Sequence, residues 1–221
     1  MIEFSHVYKT YSGNIHALRN IDLQIDRGEF VFLTGPSGAG KTTLFKMLTA
    51  FDKPSSGEIV VAGQNLLQLS NDQLVQFRRR IGVVFQDFKL LKDRTLAENI
   101  ALPLLVRGDS ATQVERRVDE MLKLVGLEHR RDNRPEAVSG GEQQRTALAR
   151  ALVHQPSVLI ADEPTGNLDP ARSEEIMDLL ERAAAQGTTV FVATHDQALV
   201  QRRRKRVLRI DQGLLQAEPS L

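Results

Sequence analysis

The chain has 221 residues, of which 29 are basic and 28 acidic, and it contains no cysteine. This length suffices for one large domain, or for a domain with an insertion. The balanced charge gives no general attraction to nucleic acid, and the lack of cysteine excludes disulfides, cysteine metal ligands and a thiol nucleophile. No signal-peptide pattern opens the chain, and no apolar run approaches the roughly 18 residues of a membrane span. We therefore expect a soluble, cytoplasmic protein.

Two alternating segments near the N-terminus, residues 2–8 and 18–25, predict strands of an antiparallel sheet. Between them, Tyr11 precedes a Ser-Gly turn. It lies at about the right distance upstream of the glycine-rich loop described next for its ring to stack on adenine. A tyrosine in a small sheet is also often simply packed, and the sequence leaves both interpretations open.

A glycine-rich loop stands between a predicted buried strand, residues 30–33, and a predicted helix that begins near Thr43. It reads Gly35-Pro36-Ser37-Gly38-Ala39-Gly40-Lys41-Thr42 and fits the pattern G-x-x-x-x-G-K-[ST]. Glycines let backbone N–H groups approach phosphate oxygens, and the helix N-terminus adds a favourable dipole. Lys41 can then reach the β- and γ-phosphates, and the Thr42 hydroxyl is suited to Mg²⁺. The loop, with Thr43 at its end, is predicted to bind a nucleoside triphosphate.

After this loop the sequence predicts a short helix and then a strand. Residues 71–80 read as a helix capped by Ser70 or Asn71, whose basic end suits a helix C-terminus better than a nucleic-acid patch. Residues 81–86 read as a buried strand that ends in Gln86. A glutamine at that position can offer its side-chain oxygen to Mg²⁺ or to an attacking water.

From about residue 93 to 155 the apolar spacing is helical. This predicts a mostly helical insertion at about 87–155, within a core made of residues 1–86 and 156–221. One predicted helix, ended by Gly126, carries an apolar face made of Val114, Val118, Met121, Leu122 and Val125.

A second candidate for anion binding lies inside the insertion. Ser139 can cap a helix that has Glu142 at its third position, and Gly140 and Gly141 permit close backbone approach. This start alone is weak evidence, because many helices begin in this way without a ligand.

Two later strands deliver polar side chains to one sheet edge. The apolar residues 157–161 are followed by Asp162 and Glu163, and the carboxyl ends of parallel strands are where such sheets bind ligands. Asp162 is suited to hold Mg²⁺ through its waters, and Glu163 to polarise water for attack on the γ-phosphorus. The strand at 189–194 delivers His195, whose imidazole can donate a hydrogen bond to the γ-phosphate.

The ordered set of motifs resembles an ABC-type ATPase over nearly the whole chain. The glycine-rich loop, Gln86, residues 139–143, Asp162-Glu163, residues 167–169 and His195 correspond to the Walker A, Q-loop, signature, Walker B, D-loop and switch-histidine motifs. The resemblance implies an α/β fold: a P-loop NTPase (ABC ATPase) core with an N-terminal antiparallel β-subdomain and a helical insertion. It further implies ATP hydrolysis with Mg²⁺ and adds Gln143 to the nucleotide contacts.

Within that family, the motifs are similar to the branch that contains lipoprotein-release, macrolide-export and cell-division ATPases. The residues from Val84 to Leu91 look most like the cell-division members. Two departures are Val138, where Leu is usual, and Lys92, where Pro or Met is common.

The resemblance also implies partners. Two copies would form a head-to-tail dimer on ATP, with the glycine-rich loop of one facing Ser139-Gly140-Gly141 of the other. An integral-membrane partner would hold the dimer at the cytoplasmic face of the inner membrane, and no nucleic acid is expected. The partner would dock near Phe88, Leu90 and Leu91, unless these three pack inside the insertion's own core.

Three rival interpretations remain at this point. The ATPase of a lipoprotein or drug exporter shares every motif and differs only in its partner. A DNA-repair or chromosome-organising ATPase would need a long coiled coil, and a translation factor would normally carry two cassettes.

The basic run at 202–206 reads as a solvated helical face or as a contact with anionic lipid.

Overall fold

The computed structural model describes residues 1–166 and 168–217 of the chain. Over these residues the chain forms ten strands, seven α-helices and two short 3-10 turns, at Glu128–Arg130 and Pro135–Ala137. The strands are β1 (Ile2–Tyr11), β2 (Ile15–Ile25), β3 (Phe30–Thr34), β4 (Ser56–Val61), β5 (Gln64–Asn65), β6 (Ile81–Val84), β7 (Val158–Asp162), β8 (Thr189–Ala193), β9 (Arg206–Asp211) and β10 (Leu214–Ala217). The helices are α1 (Lys41–Leu48), α2 (Asn71–Arg78), α3 (Leu96–Arg107), α4 (Ala111–Leu124), α5 (Gly140–Leu152), α6 (Pro170–Ala185) and α7 (Gln197–Arg203). None of these helices is both long and apolar enough to cross a membrane.

The strands form two sheets. A four-stranded antiparallel sheet has the order β2-β1-β4-β5, and a six-stranded sheet has the order β10-β9-β3-β8-β7-β6. In the larger sheet β9, β3, β8, β7 and β6 run parallel, and β10 pairs antiparallel at one edge. The parallel strands therefore bring their carboxyl ends to one edge, where open α/β sheets bind ligands.

The six-stranded sheet is covered on both faces, which explains why its inner strands β3, β7 and β8 are almost entirely apolar. Successive residues of a strand face opposite sides. In β3, Phe32 belongs to one core cluster, whereas Val31 and Leu33 belong to the other. The first cluster packs the sheet against α3, α4, α5 and α6, and the second packs it against α1 and the antiparallel sheet. The predicted strand at 30–33 is confirmed.

Strand ends differ from the predictions in both directions. β1 runs to Tyr11 and β2 begins at Ile15, because the cross-strand pair formed by these two residues extends the ladder beyond the clear alternation. β6 instead ends at Val84, so Gln86 stands in a turn two residues beyond the strand and not at its last position.

Helix α2 begins as predicted, with Ser70 as its cap, but it ends at Arg78. The Arg78 guanidinium does not serve its own helix. It donates to the carbonyl oxygens of Thr49 (3.3 Å) and Ala50 (2.7 Å), beyond the last turn of α1. The positive charge therefore stabilises the end of the helix that follows the glycine-rich loop.

The segment between β6 and β7 contains α3, α4 and α5, each of which begins with a reciprocal capping box. The division of the chain at about residues 87 and 155 stays an interpretation. The predicted apolar face of α4 is confirmed, and all of its members are buried: Val114, Val118, Met121, Leu122 and Val125.

The sequence suggested that the basic run at 202–206 is one solvated helical face, and the structure does not form such a face. Helix α7 ends at Arg203, Arg204 has a left-handed backbone (φ 48°), and Arg206 opens β9. Its basic side chains tie these elements to helix α6, because Arg203 is only 13% exposed and contacts three carboxylates there: Glu174, Asp178 and Glu181.

Candidate active site

A cavity of about 610 Å³ opens at the carboxyl edge of the six-stranded sheet. Its walls come from the antiparallel sheet, the glycine-rich loop and the residues that follow β6, β7 and β8. It brings together most of the site residues proposed from the sequence: Tyr11, Gly35, Pro36, Ser37, Gly38, Ala39, Gly40, Lys41, Thr42, Thr43, Gln86, Asp162, Glu163 and His195.

The glycine-rich loop needs glycine at both ends. Gly35 (φ 149°) and Gly40 (φ 117°) adopt backbone conformations that L-residues avoid. A Cβ on Gly35 would collide with the Ile210 carbonyl, and one on Gly40 would lie 2.7 Å from the Ala17 carbonyl oxygen. Helix α1 begins at Lys41, within the loop motif, and has no side-chain cap, whereas α2, α3, α4 and α5 all have one. The N-terminus of α1 is therefore available to an anion.

Lys41 and Asp162 place opposite charges at the same cavity. The Lys41 ammonium donates to the carbonyl oxygens of Gly35 (2.6 Å) and Pro36 (2.9 Å), which holds it over the loop. Burial raises the pKa of the Asp162 carboxyl, the neighbouring Glu163 raises it further, and Lys41 offsets part of this. A cation bound beside Asp162 would stabilise its charged carboxylate and so offset both the burial and the repulsion from Glu163.

Glu163 and His195 form a hydrogen-bonded pair beside the loop. His195 Nδ1 lies 2.8 Å from Glu163 Oε1, with His195 77% exposed and Glu163 only 12%. The hydrogen bond to Glu163, and then its charge, raise the pKa of the His195 imidazole. The backbone of Glu163 is left-handed (φ 50°), and its N–H donates to the Ala193 carbonyl (3.0 Å). The carboxylate is therefore held where strands β7 and β8 end.

Sequence reasoning missed Gln144, which supports Glu163 from helix α5. Its side chain is fully buried, and Nε2 donates to the Glu163 carbonyl oxygen at 3.2 Å. The sequence does contain a signal for it. Gln144 lies on the same face of α5 as the buried Leu148, one turn later, and Ala151, two turns later. A buried amide needs a hydrogen-bond partner, and the Glu163 carbonyl supplies one for Gln144.

Tyr11 stands at the mouth of the cavity and is not packed in the sheet core. Its hydroxyl donates to Asp52 Oδ2 (3.0 Å), and the Lys9 ammonium lies 4.8 Å from the ring centroid. These contacts fix the orientation of the ring, and neither Lys9 nor Asp52 was singled out from the sequence. Stacking on adenine stays a prediction.

The signature residues lie in a second cavity, of about 630 Å³. Ser139 caps α5 with the predicted capping box, and its N–H is the main cause of the lowered pKa of Glu142. Beside Gly140, a Cβ would meet no other part of the described residues within 4 Å, its own helix backbone and chain neighbours aside. Gln86 lines both cavities, and the second is also lined by Phe88, Ser139, Gly140, Gly141, Arg145, Leu168, Asp169 and Arg172.

Gln143 is not among the residues that line this cavity. Its amide nitrogen donates to the carbonyls of Pro135 (2.9 Å) and Val138 (3.3 Å), and its contact with a nucleotide stays a prediction. Phe88, Leu90 and Leu91 are absent from the buried core of the described residues, and Phe88 lines the signature cavity. Of the D-loop motif, Asn167 falls outside the described residues.

The comparisons with known proteins agree with this geometry. The family described as ABC transporter matches residues 18–166. The chain belongs to this family. Two solved structures of the ATP-binding cassette MJ0796 are similar to the chain. Both are dimeric, and one is in a post-hydrolysis state bound to ADP and Pi. They are 37–38% identical to the chain with a TM-score of 0.91, and the match covers 100% of both chains. The predicted fold and the predicted ATPase class are confirmed.

Curated ABC ATPases of the same length are also similar to the chain. The cell division ATP-binding protein FtsE of Bacillus subtilis is 46% identical, over 100% of this chain and 96% of its own length. FtsE of Escherichia coli K12 is 47% identical over 97% of both proteins, and FtsE of Streptococcus pneumoniae R6 is 48% identical over 96% of this chain and 93% of its own.

Proposed function

We propose that this ABC ATPase is the ATP-hydrolysing subunit of a membrane complex in cell division, equivalent to FtsE and working with the membrane protein FtsX to control cell-wall hydrolysis. Its relatives named for cell division, at 46–48% identity over nearly the whole chain, support this assignment. The complex would place it on the cytoplasmic face of the inner membrane. An exporter ATPase is the alternative, and only the partner distinguishes the two.

One observation carries the catalytic assignment: the glycine-rich loop, the carboxylates after β7 and the histidine after β8 all line one cavity. The N–H groups of the loop and of α1 would bind the β- and γ-phosphates, with Lys41 over them. Tyr11 would stack on the adenine ring, opposite the face that Lys9 covers.

The same cavity fits a magnesium ion. Thr42, Gln86 and Asp162 offer hydroxyl, amide and carboxylate oxygens, and all three line it. The described residues contain no cluster of three or more His, Cys, Asp or Glu that could hold a metal. This is consistent with Mg²⁺, which takes one or two carboxylates and completes its shell with water and phosphate oxygens. When bound, Mg²⁺ neutralises charge on the phosphate oxygens.

Glu163 is proposed to polarise the water that attacks the γ-phosphorus in line with the leaving ADP oxygen, which gives ADP and phosphate. Its Oε1 is bonded to His195, so the other carboxylate oxygen is the one available to water. His195, largely exposed, would donate a hydrogen bond to the γ-phosphate, and Gln86 would orient the water or bind the ion.

Dimerisation on ATP would complete the site. Among the described residues, none of the glycine-rich loop lines the signature cavity, and Ser139 and Gly140 are exposed there with open space beside Gly140. We therefore propose that these residues receive the γ-phosphate of an ATP held by a second copy. Gln143 would support this loop through its two carbonyl contacts.

The membrane partner is proposed to dock in an apolar groove of about 410 Å³ beside the edge strand β6. Leu102, Pro103 and Val106 of α3 form one wall, and Val75 of α2 faces them. Val75 and Val106 are 47% and 53% exposed, which is unusual for apolar residues that share a groove. Arg78, Arg79 and Arg150 also line this groove.

A short amphipathic helix fits this description, with apolar residues toward α3 and acidic residues toward the arginines. The docking position predicted from the sequence, near Phe88–Leu91, stays an alternative. The Phe88 and Lys89 carbonyls are bonded by Arg150, which also lines the groove.

Two substitutions test the catalytic assignment. Lys41→Ala should lose ATP binding, because the ammonium contacts the ground-state phosphates. Glu163→Gln should bind ATP normally and hydrolyse it about 100-fold more slowly or worse, as expected for loss of a general base. Nucleotide binding and steady-state turnover would be measured for both, with the exposed Glu136→Gln as control. Turnover by Glu163→Gln close to that of the control would refute the role of Glu163.

A further inference from the structure

The loop that follows Gln86 has an unfavourable backbone. Phe88 (φ 60°) and Lys89 (φ 49°) are consecutive left-handed residues, and neither is glycine. Such conformations persist where surrounding contacts impose them. Within the loop, the Lys89 N–H donates to the Asp87 carbonyl (2.6 Å) and the Phe88 N–H to the Phe85 carbonyl (3.0 Å).

The contact from outside the loop comes from Arg150, near the end of helix α5. Its two terminal nitrogens donate to the carbonyl oxygens of Phe88 and Lys89, both at 2.7 Å. The guanidinium is planar with a fixed fork of donors, so two bonds to consecutive carbonyls fix the loop in position and in orientation.

Arg150 brings a charge to neutral partners. Among the described residues its guanidinium hydrogen-bonds to these two carbonyls, and burial lowers its pKa. A desolvated charge met only by neutral carbonyls is expensive to keep. Arg150 also lines the apolar groove beside β6.

We propose that Arg150 is a positioning residue for ATP hydrolysis: by holding the Phe88 and Lys89 carbonyls, it sets where Gln86 reaches the nucleotide and makes that loop move with helix α5. The same helix begins at Ser139 and supports Glu163 through Gln144. One rigid element thus connects the signature, the carboxylate proposed to polarise water and the loop of Gln86. This inference rests on the proposed role of Gln86 at the nucleotide.

The test compares substitutions of Arg150 in the full-length chain. Arg150→Met keeps an apolar stem and removes the fork, so kcat for ATP should fall about tenfold, as for a displaced catalytic group, with KM changed less than about twofold. Arg150→Lys keeps charge and length but cannot bridge both carbonyls, so it should restore only part of kcat. Hydrogen exchange of residues 86–92 should accelerate in both variants.

Arg117→Met is the matched control, because it removes another guanidinium–carbonyl contact to the end of α5, at Val153 (3.3 Å). Its kcat should stay within about twofold of the parent. Parental kcat in Arg150→Met, or full recovery in Arg150→Lys, would overturn the proposal. If Arg150→Met does not fold, Arg150→Lys decides alone: parental kcat overturns the proposal, and a reduced kcat at parental melting temperature supports it. Gln86→Ala separates the role of Gln86 at the nucleotide from the positioning role of Arg150. Unchanged kcat in Gln86→Ala would refute the role of Gln86 itself.

Discussion

At the scale of single residues, the chemistry depends on how Glu163 is held. Its carboxylate is mostly buried and bonded to His195, its N–H is bound to Ala193 and its carbonyl to Gln144. A left-handed backbone at a non-glycine residue is a form of strain that clusters at functional sites. The surrounding strands and helix α5 therefore hold the carboxylate in one place before the nucleotide arrives.

The Glu163–His195 pair predicts a specific titration. The NMR signals of the His195 imidazole should titrate above the ordinary pKa of about 6.5, because Glu163 stabilises the charged ring. Since the folded-state pKa is raised, the pair stabilises the fold below pH about 6.5, and this contribution is lost as the pH rises through the raised value. Glu163→Gln should lower the His195 midpoint, and His154 serves as an internal reference, since burial lowers its pKa. An unchanged His195 midpoint in Glu163→Gln would mean that the pair does not exist in solution.

At the scale of elements, helix α3 presents adjacent residues to different surroundings. Val106 (53% exposed) lines the apolar groove, whereas Leu105 (55% exposed) does not. The two are similar in size and exposure, so they separate docking from general surface effects.

Val106→Asp should weaken binding of the membrane partner by about 2 kcal/mol or more, as the loss of an interface anchor does. Leu105→Asp should change it little, and both variants should keep the parental melting temperature because the positions are exposed. Co-purification of each variant with the membrane partner is the measurement. Equal retention of the partner by both variants would place the docking site elsewhere.

The sequence predicts elements well where local signals are strong. Apolar runs predict β3 and β8, and the pattern of caps and apolar residues predicts α2, α4 and α5. It predicts less well what depends on distant residues. Arg150 bonds to carbonyls about 60 positions away, and Arg203 pairs with carboxylates of α6. Neither contact leaves a local pattern, so a basic run reads as a solvated face until its partners are known.

The candidate site likewise contains residues that the sequence predicts and contacts that it does not. The residues of the glycine-rich loop and the carboxylates after β7 follow from motif and strand position, and the structure brings them into one cavity. Gln143 was assigned by its place in the signature, but its amide binds its own loop. Gln144, one position later, supports Glu163. Which of two adjacent glutamines faces which neighbour is decided by how α5 packs, and a motif does not encode that.

At the scale of the whole molecule, one chain presents two helix starts proposed to bind anions. They line separate cavities, and Gln86 lines both. The glycine-rich loop and the signature of a single copy therefore cannot act on the same phosphate in this arrangement. We propose that each ATP is bound between the loop of one copy and the signature of another. The MJ0796 cassettes, which match the chain over its whole length, are dimeric.

The most direct test is ATP-dependent dimerisation of Ser139→Arg in a Glu163→Gln background, followed by light scattering. The control is Ser110→Arg, because Ser110 caps α4 with the same kind of capping box and is remote from the signature cavity. Each substitution should cost a similar cap energy, about 1 kcal/mol. The account predicts that the Ser110 variant dimerises with ATP like its parent, whereas the Ser139 variant binds ATP and stays monomeric. Dimerisation of the Ser139 variant at the parental ATP concentration would contradict the composite site.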